Sequence, residues 1–321
     1  MGRYEGTRAT IWAALGAVYL FWGTTYLAIR VGVETMPPFL MAAVRFLIAG
    51  AILYAIAIRT GDREGDRPTR RHWRSALVIG AALLFGGNGL VSWAEQTVPS
   101  GMASLIIATV PFWLVLLGRV VLRDRVSIRE WIGIAAGFAG LIFLVNPASA
   151  ARIDPSGAAL LVLASVSWAA GSLYARGAPL PSRPLVGTAM QMLCGGAVLA
   201  VVGIAGGELG RVDIAAISLE SLLGLGWLIV FGSLVGFSAY VWLLRVTRTS
   251  LVGTYAYVNP VVAVLLGWAL LGERVTLQTF VAGGIILFAV ALIVSARTPK
   301  EAPPAVKADA AADVEDERIP A

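Results

Sequence analysis

Ten long runs of apolar residues, separated by short polar connections, dominate the sequence. Each run approaches the ~20 residues that a helix needs to cross the ~30 Å hydrocarbon core of a bilayer. Polar residues do not alternate with apolar ones at every second position, as the strands of a membrane barrel require. The pattern therefore predicts an all-α integral membrane protein with ten transmembrane helices. The predicted helices cover residues 11–29, 38–58, 75–94, 100–118, 131–148, 155–175, 184–207, 221–244, 249–271 and 277–296.

The composition supports a membrane protein. Of 321 residues, 58% are hydrophobic and 14% are charged, with a mean hydropathy of +0.80; soluble domains have about 25% charged residues. Run 11–29 lacks an A-x-A-like cleavage site, so we expect a retained first helix and not a signal peptide. The single His72 and single Cys194 exclude an internal disulfide and a His/Cys metal cluster, and nothing in the sequence calls for a cofactor.

Basic residues predict the orientation, because short cytoplasmic loops are rich in Lys and Arg. With the N-terminus inside, 20 of the 25 Lys and Arg residues lie on the cytoplasmic side. We therefore expect an inner-membrane protein with a cytoplasmic N-terminus (1–10) and a disordered cytoplasmic tail (297–321). The net charge of +6 follows from this topology, and no nucleic-acid partner is expected.

The chain aligns with itself, which predicts an internal repeat. An offset of 146 residues aligns Trp22 with Trp168, Pro38 with Pro184 and Gly50 with Gly196. An offset of 149 aligns Gly87 with Gly236, Trp93 with Trp242 and Pro111 with Pro260. Five helices per repeat is an odd number, so repeat 1 (11–148) and repeat 2 (155–296) should have opposite orientations in the membrane. Inverted repeats are typical of secondary transporters.

Several short motifs resemble those of the EamA family of the drug/metabolite transporter superfamily. They are Trp22-Gly23-Thr24-Thr25-Tyr26, Pro37-Pro38, Arg45-Phe46, Gly87-Asn88-Gly89, Val98-Pro99-Ser100-Gly101, Ser167-Trp168-Ala169, Gly272-Glu273 and the run Tyr255-Ala256-Tyr257-Val258-Asn259-Pro260-Val261-Val262-Ala263-Val264-Leu265-Leu266-Gly267. The resemblance covers residues 11–296. It implies a ten-helix exporter of small metabolites, with amino acids among the best attested substrates of the family.

Polar residues share one face of the third predicted helix. Asn88, Ser92 and Glu95 are spaced i, i+4 and i+7. Because polar groups are costly in lipid, we expect Asn88 and Glu95 to bind substrate in a cavity. The alternatives are that Asn88 bonds a neighbouring helix and that Glu95 lies among the outer headgroups.

Aromatic residues near the middle of two helices are further candidate substrate ligands. Trp22 and Tyr26 share a face of the first helix, and Trp168 has the equivalent position in the sixth. Tryptophan is common at membrane interfaces, but these positions lie deeper, so cavity lining competes with simple packing. Tyr255 and Asn259, spaced i and i+4, are predicted to form a second cavity wall.

Arg45, Pro111 and Pro260 are predicted to have structural or gating roles. Arg45 is the only formal charge within the ten runs, and it either snorkels to the interface as a structural anchor or holds an anionic group of the substrate. Each proline removes a helical hydrogen bond, with the freed carbonyl on Ile107 or Ala256. Such kinks suit either a rocking mechanism or plain packing.

Together these features predict a secondary transporter that exports small metabolites, such as amino acids or amphipathic drug-like solutes, by alternating access. No Walker-type Gly-Lys-Ser/Thr motif is present, which argues against direct use of ATP. An intramembrane enzyme would need a nucleophile with a base, but His72 is in a loop and no Asp lies in a run. The remaining alternative is a transport-inactive scaffold or sensor. The sequence leaves the substrate, the coupling ion and the oligomeric state open, and a monomer is compatible with it.

Overall fold

The computed structural model describes residues 7–59, 68–121, 123, 126–145, 154–247 and 254–296. This part of the chain is helical and contains no β-strand. The predicted tail 297–321, most of the N-terminus 1–10, and residues 146–148 and 249–253 of two predicted helices lie outside the described residues.

Thirteen α-helices are formed within the described ranges. They are α1 (Arg8–Gly32), α2 (Pro38–Arg59), α3 (Arg70–Gly80), α4 (Leu90–Ala94), α5 (Ser100–Ile107), α6 (Val110–Val121), α7 (Ile128–Val145), α8 (Pro155–Gly177), α9 (Pro184–Ala205), α10 (Leu219–Trp227), α11 (Gly236–Val246), α12 (Tyr255–Leu271) and α13 (Leu277–Ala296). A π-helical segment joins α3 to α4 (Ala81–Gly89), and a second joins α10 to α11 (Leu228–Val235). Two short 3₁₀-helices, Glu208–Arg211 and Ile214–Ala216, precede α10.

Helix occupies most of the described part of each predicted run. Eight helical segments in the described chain are long and apolar enough to cross a membrane, which is consistent with an all-helical integral membrane protein. They are Arg8–Gly32, Pro38–Arg59, Arg70–Ala94, Ser100–Val121, Pro155–Gly177, Pro184–Ala205, Leu219–Tyr240 and Leu277–Ser295. Tyr255–Leu271 is apolar but shorter, at 17 residues.

Local sequence explains where several helices begin and end. Asp154 caps α8 by accepting hydrogen bonds from the backbone N–H groups of Ser156 and Gly157, and Pro155 occupies the first turn. Hydrogen bonds from the Ser156 hydroxyl, the Gly157 N–H and the Thr97 hydroxyl lower the pKa of Asp154 below its ordinary value. Helix α12 ends at Leu271, and the residue that follows it, Gly272, has a left-handed φ of 64°, which favours glycine.

Several pairs of helices that pack against each other join the first half of the chain to the second. The most extensive contacts are those of α2 with α9 and of α7 with α13. Helix α1 packs against α12 and against α10 and α11, while α8 packs against α5 and α6 and against the first π-helical segment and α4. Each half therefore contributes one helix, α1 or α8, that inserts between two helical segments of the other half.

Glycines allow α2 and α9 to approach closely. A Cβ added to Gly50 would lie 3.0 Å from the backbone nitrogen of Leu193, and a Cβ added to Gly196 would lie 3.1 Å from that of Leu47. Small residues at helix crossings are typical of packing in membranes. The two glycines that the internal offset aligns thus face each other's helices across one interface.

We expect Gly50→Leu and Gly196→Leu to destabilise this helix pair. Neither site has space for a side chain, and overpacking costs about 1–3 kcal/mol. The apparent melting temperature of the purified protein in detergent should fall for both variants. Gly16→Leu is the matched control, because a Cβ at Gly16 meets nothing within 4 Å. Melting temperatures equal to that of the control would contradict this account of the interface.

Candidate functional site

A cavity lies between residues of both halves of the chain. Its free space is about 780 Å³, counted together with the open solvent at its mouth. Nine helical elements line it. The lining residues are Trp22, Thr25, Tyr26, Ile29, Arg45, Gly87, Asn88, Val91, Ser104, Ile107, Ala108, Val110, Ala164, Trp168, Phe237, Tyr255, Ala256, Asn259 and Pro260.

Trp22 forms one wall of the cavity and is held by a ring of aromatic side chains. Its ring centroid lies 5.3 Å from Phe237, 5.0 Å from Tyr240 and 5.2 Å from Tyr255. The indole Nε1 donates to the carbonyl oxygen of Gly232 at 3.1 Å. The contacts with Phe237 and Tyr255 are edge-to-face, which is a preferred arrangement of aromatic pairs, so Trp22 presents a defined surface to the cavity.

The two mid-helix tryptophans, Trp22 and Trp168, each pack against a glycine from the other half of the chain. A Cβ added to Gly236 would lie 2.4 Å from Trp22 Nε1, and a Cβ added to Gly87 would lie 2.7 Å from Trp168 Cε3. Both glycines adjoin or belong to a π-helical segment. Wide π turns occur often at functional sites, and here they bring glycine backbone directly against the indole rings.

Tyr255 and Asn259 also line the cavity, one turn apart on α12. Asn259 is buried. With its amide oriented so that the nitrogen faces two carbonyl oxygens, the nitrogen donates to those of Tyr255 at 3.3 Å and Tyr19 at 3.2 Å. The Tyr19 hydroxyl is hydrogen-bonded to the Thr254 hydroxyl. Asn259 therefore ties α12 to α1 as well as lining the cavity.

Asn88 lines the cavity from the first π-helical segment. Its amide nitrogen makes a long hydrogen bond of 3.4 Å to the carbonyl oxygen of Leu83, within its own segment. Ser92, on the same predicted face, is buried and donates to the carbonyl oxygen of Asn88 at 3.0 Å. The Ser92 hydroxyl is thus bonded within its own helix, whereas the amide oxygen of Asn88 accepts no hydrogen bond from the described residues.

Glu95 lies outside the cavity lining. Its side chain is fully buried, and neither carboxylate oxygen has a hydrogen-bond partner among the described residues. The guanidinium of Arg30 donates to the backbone carbonyl oxygens of Glu95 and, at 2.9 Å, of Gln96. The structure therefore brings six of the seven predicted substrate ligands together, and for Glu95 that role rests on the sequence alone.

The two prolines differ in their surroundings. Pro111 follows an interruption between α5 and α6 at residues 108–109, and Pro260 lies inside the continuous helix α12. Pro260 lines the cavity. Pro111 is not among the lining residues, but its neighbour Val110 is. Their predicted gating role remains a prediction.

Sequence reasoning missed several cavity residues. Phe237, Thr25 and Ser104 line the cavity, although the hydroxyls of Thr25 and Ser104 bond the carbonyl oxygens of Trp22 and Gly101 in their own helices. Because a Ser or Thr hydroxyl can bond a carbonyl oxygen of its own helix, its presence in an apolar run does not indicate whether the residue lines a cavity or packs against another helix. Phe237 gives no signal either, since an aromatic residue in an apolar run is ordinary.

A set of membrane-length helices around a cavity lined by aromatic, amide and cationic side chains defines a polytopic membrane protein with an internal site for a small molecule. The profile described as the EamA-like transporter family matches residues 8–146 and, a second time, residues 155–295. This chain belongs to the EamA-like transporter family.

Curated relatives agree with this family. The chain is 42% identical over 285 residues to the "Uncharacterized inner membrane transporter YedA" of Escherichia coli, covering 88% of this chain and 90% of the relative. It is 26% identical over 300 residues to the "Probable amino-acid metabolite efflux pump" of Salmonella typhimurium, covering 90% and 94%. A solved crystal structure with a TM-score of 0.60 and 22% identity covers 89% of this chain and 96% of that chain, which shows a shared fold.

These findings establish a multi-pass inner-membrane protein with the role of a membrane transporter. The family and the relatives' names indicate a transporter and not an enzyme.

Proposed function

We propose that this protein is a secondary transporter that exports small metabolites, such as amino acids or amphipathic drug-like solutes, by alternating access through the central cavity. The observation that carries the proposal is the cavity itself. Trp22, Tyr26, Asn88 and Arg45 line it from the first half of the chain, and residues of α8, α11 and α12 line it from the second. A site between two halves can open to either side of a membrane when the halves move relative to each other.

The proposed architecture is ten transmembrane helices in two inverted repeats of five, with both termini cytoplasmic. The double match to the family profile supports two repeats. So do the reciprocal contacts of Trp22 with Gly236 and of Trp168 with Gly87, since the internal offsets align these residues in pairs. Equivalent contacts across the interface are expected when two similar halves are related by a pseudo-two-fold axis.

The lining chemistry supports a small amphipathic solute. Faces of Trp22, Trp168 and Tyr255 offer apolar surface, and Asn88 and Asn259 add polar groups that could orient a substrate. This mixture of aromatic walls and few polar groups is typical of sites for small organic molecules. The relative named "Probable amino-acid metabolite efflux pump" supports export as the direction and amino-acid metabolites as a substrate class.

Transport by the purified protein tests the proposal. Proteoliposomes preloaded with an unlabelled amino acid or an amphipathic cation should accumulate the same labelled solute by counterflow, for at least one member of a panel. Trp22→Ala, Asn88→Ala and Tyr255→Ala should each lower the initial rate by roughly tenfold, because each removes ~1.4 kcal/mol or more of contact with the solute. Accumulation needs no added ATP.

A truncation of equal size on the outside of the bundle is the control. Trp268 is on α12, as Tyr255 is, but its side chain is 61% exposed and does not line the cavity. Trp268→Ala should transport at the wild-type rate. Wild-type rates in all three cavity variants would place the transport path elsewhere, and no counterflow of any panel member would refute transport of these solute classes.

A further inference from the structure

Arg45 lies in the middle of α2 with its side chain buried in the cavity wall. Only 3% of the residue is exposed. Its Nε donates to the Ser233 hydroxyl at 2.9 Å, and its guanidinium carbon lies 4.6 Å from the ring centroid of Phe46. A Cβ added to Gly232 would lie 3.1 Å from Nη2, so glycine leaves room for the guanidinium at this point. The side chain is therefore held in place within the cavity wall and does not snorkel outward.

The charge of Arg45 has no protein counter-charge in the described part of the chain. The ion pair found there joins Arg211 to Glu208, not Arg45 to an acid. Glu208, from the first 3₁₀-helix, is buried beside the start of α2, and its two oxygens accept hydrogen bonds from the backbone N–H groups of Phe39 and Leu40. Hydrogen bonding of the guanidinium to described residues is confined to Nε, and a guanidinium has four further N–H donors.

A buried, unpaired cation is costly, and an anion in the cavity would offset that cost. Removing a charge from water without a partner costs several kcal/mol. The planar fork of a guanidinium matches a carboxylate, which it can bind through two parallel hydrogen bonds. Elsewhere the lining is uncharged and largely apolar or aromatic. One positive charge balances a monovalent carboxylate, but not a dianionic phosphate.

The second half of the chain indicates that this helix position does not need a charge for packing. The internal offset aligns Arg45 with Gln191, which is neutral and does not line the cavity. Since α2 and α9 pack against each other, a charge required for that interface would be expected on both helices. The positive charge is therefore tied to the cavity and not to the helix pair.

We propose that Arg45 binds the carboxylate of the transported solute, so that the substrates are small monocarboxylates with an apolar or aromatic body, amino acids among them. The body of the solute would then contact the aromatic walls formed by Trp22 and Tyr255. This inference rests on the proposed transport function and assigns the chemical class that the cavity accepts.

Matched acid and amide probes test the inference in proteoliposome counterflow. The pairs are L-phenylalanine with L-phenylalaninamide and indole-3-acetate with indole-3-acetamide, which differ at the carboxyl group and retain the aromatic body. Wild-type protein should transport at least one acid roughly tenfold faster than its amide, the ratio expected for one charge-assisted pair. Arg45→Gln should lose that preference, with the acid rate falling and the amide rate kept. Arg45→Lys should keep a reduced preference for the acid, because it retains the charge and loses the fork.

Arg129→Gln is the matched control for the loss of one positive charge, since Arg129 is exposed at the start of α7 and is not among the residues that line the cavity. It should behave as wild type. An amide transported as fast as its acid by the wild-type protein would overturn the inference and leave transport standing. Equal losses of acid and amide in Arg45→Gln would also overturn it, because they indicate a structural role. If Arg45→Gln does not fold, the inference is tested by the ratio of acid to amide transport rates in the wild-type protein and in Arg45→Lys. Absence of counterflow for every probe and every panel solute would refute transport of these solute classes, and the inference with it.

Discussion

Glu273→Ala is expected to lower the stability of the protein by roughly 3 kcal/mol or more. The Glu273 carboxylate accepts the backbone N–H of Ser100 at 2.7 Å, the Ser100 hydroxyl at 2.8 Å and the backbone N–H of Gly101 at 3.0 Å. Ser100 is fully buried, so the substitution leaves three donors without an acceptor, at ~1–3 kcal/mol each. It also removes a negative charge from the N-terminus of α5, where the helix dipole favours one.

The melting temperature of purified protein in detergent measures this effect. Glu273→Gln should fall between wild type and Glu273→Ala, because its amide retains one acceptor oxygen. Glu34→Ala is the control, since Glu34 is an exposed acid with no side-chain hydrogen bond among the described residues. A melting temperature for Glu273→Ala equal to that of Glu34→Ala would show that the carboxylate does not hold α5 and α12 together.

The Glu273 contact also shows what the sequence could not predict. Apolar runs specify helices because lipid requires every backbone hydrogen bond to be satisfied within the segment, and the positions of the helices followed from that rule. The partner of a polar residue outside a run does not follow from it. Ser100 and Glu273 are 173 residues apart, and no local pattern connects them.

Helix interruptions were predicted only in part. Pro111 and Pro260 are the same residue at aligned positions, yet the helix is interrupted before Pro111 and continuous through Pro260. The two π-helical segments were not predicted at all. A π-helical turn barely changes the pattern of apolar residues along a run, so the sequence does not reveal it. The turns arise here where glycines contact the indole rings of a neighbouring helix.

The cavity was predicted better from aromatic and amide residues than from charged ones. Trp22 and Asn88 stand out because bulky aromatic and amide side chains in mid-helix need a specific neighbour, and both line the cavity. Glu95 met the same criterion of helical spacing and lies outside the lining. Arg45 was expected to be a structural or gating residue, and its place in the cavity wall depends on Gly232 and Ser233, which only the fold brings near.

Gly236→Ala and Gly87→Ala are expected to lower transport by roughly tenfold each. The added methyl group at Gly236 would lie 2.4 Å from Trp22 Nε1, so the indole must move and lose its hydrogen bond to the Gly232 carbonyl. The methyl group at Gly87 would lie 2.7 Å from Trp168 Cε3. Both rings line the cavity. An overpacking cost of ~1–3 kcal/mol at the substrate site corresponds to a fall in the transport rate of about tenfold or more.

The control for these variants is Gly226→Ala, in the same helical segment as Gly236. A Cβ at Gly226 meets nothing within 4 Å, and the residue is exposed, so counterflow should remain at the wild-type rate. Similar losses from Gly87→Ala and Gly236→Ala are expected, because the two glycines support equivalent tryptophans in the two halves. A loss in one variant alone would mean that the substrate contacts only one of the two tryptophans. The similar tryptophan–glycine contacts in the two halves would then serve helix packing and not substrate binding on both sides. Normal transport in both would remove the tryptophan faces from the substrate site, while leaving the assignment of Arg45 to be decided by the acid and amide probes.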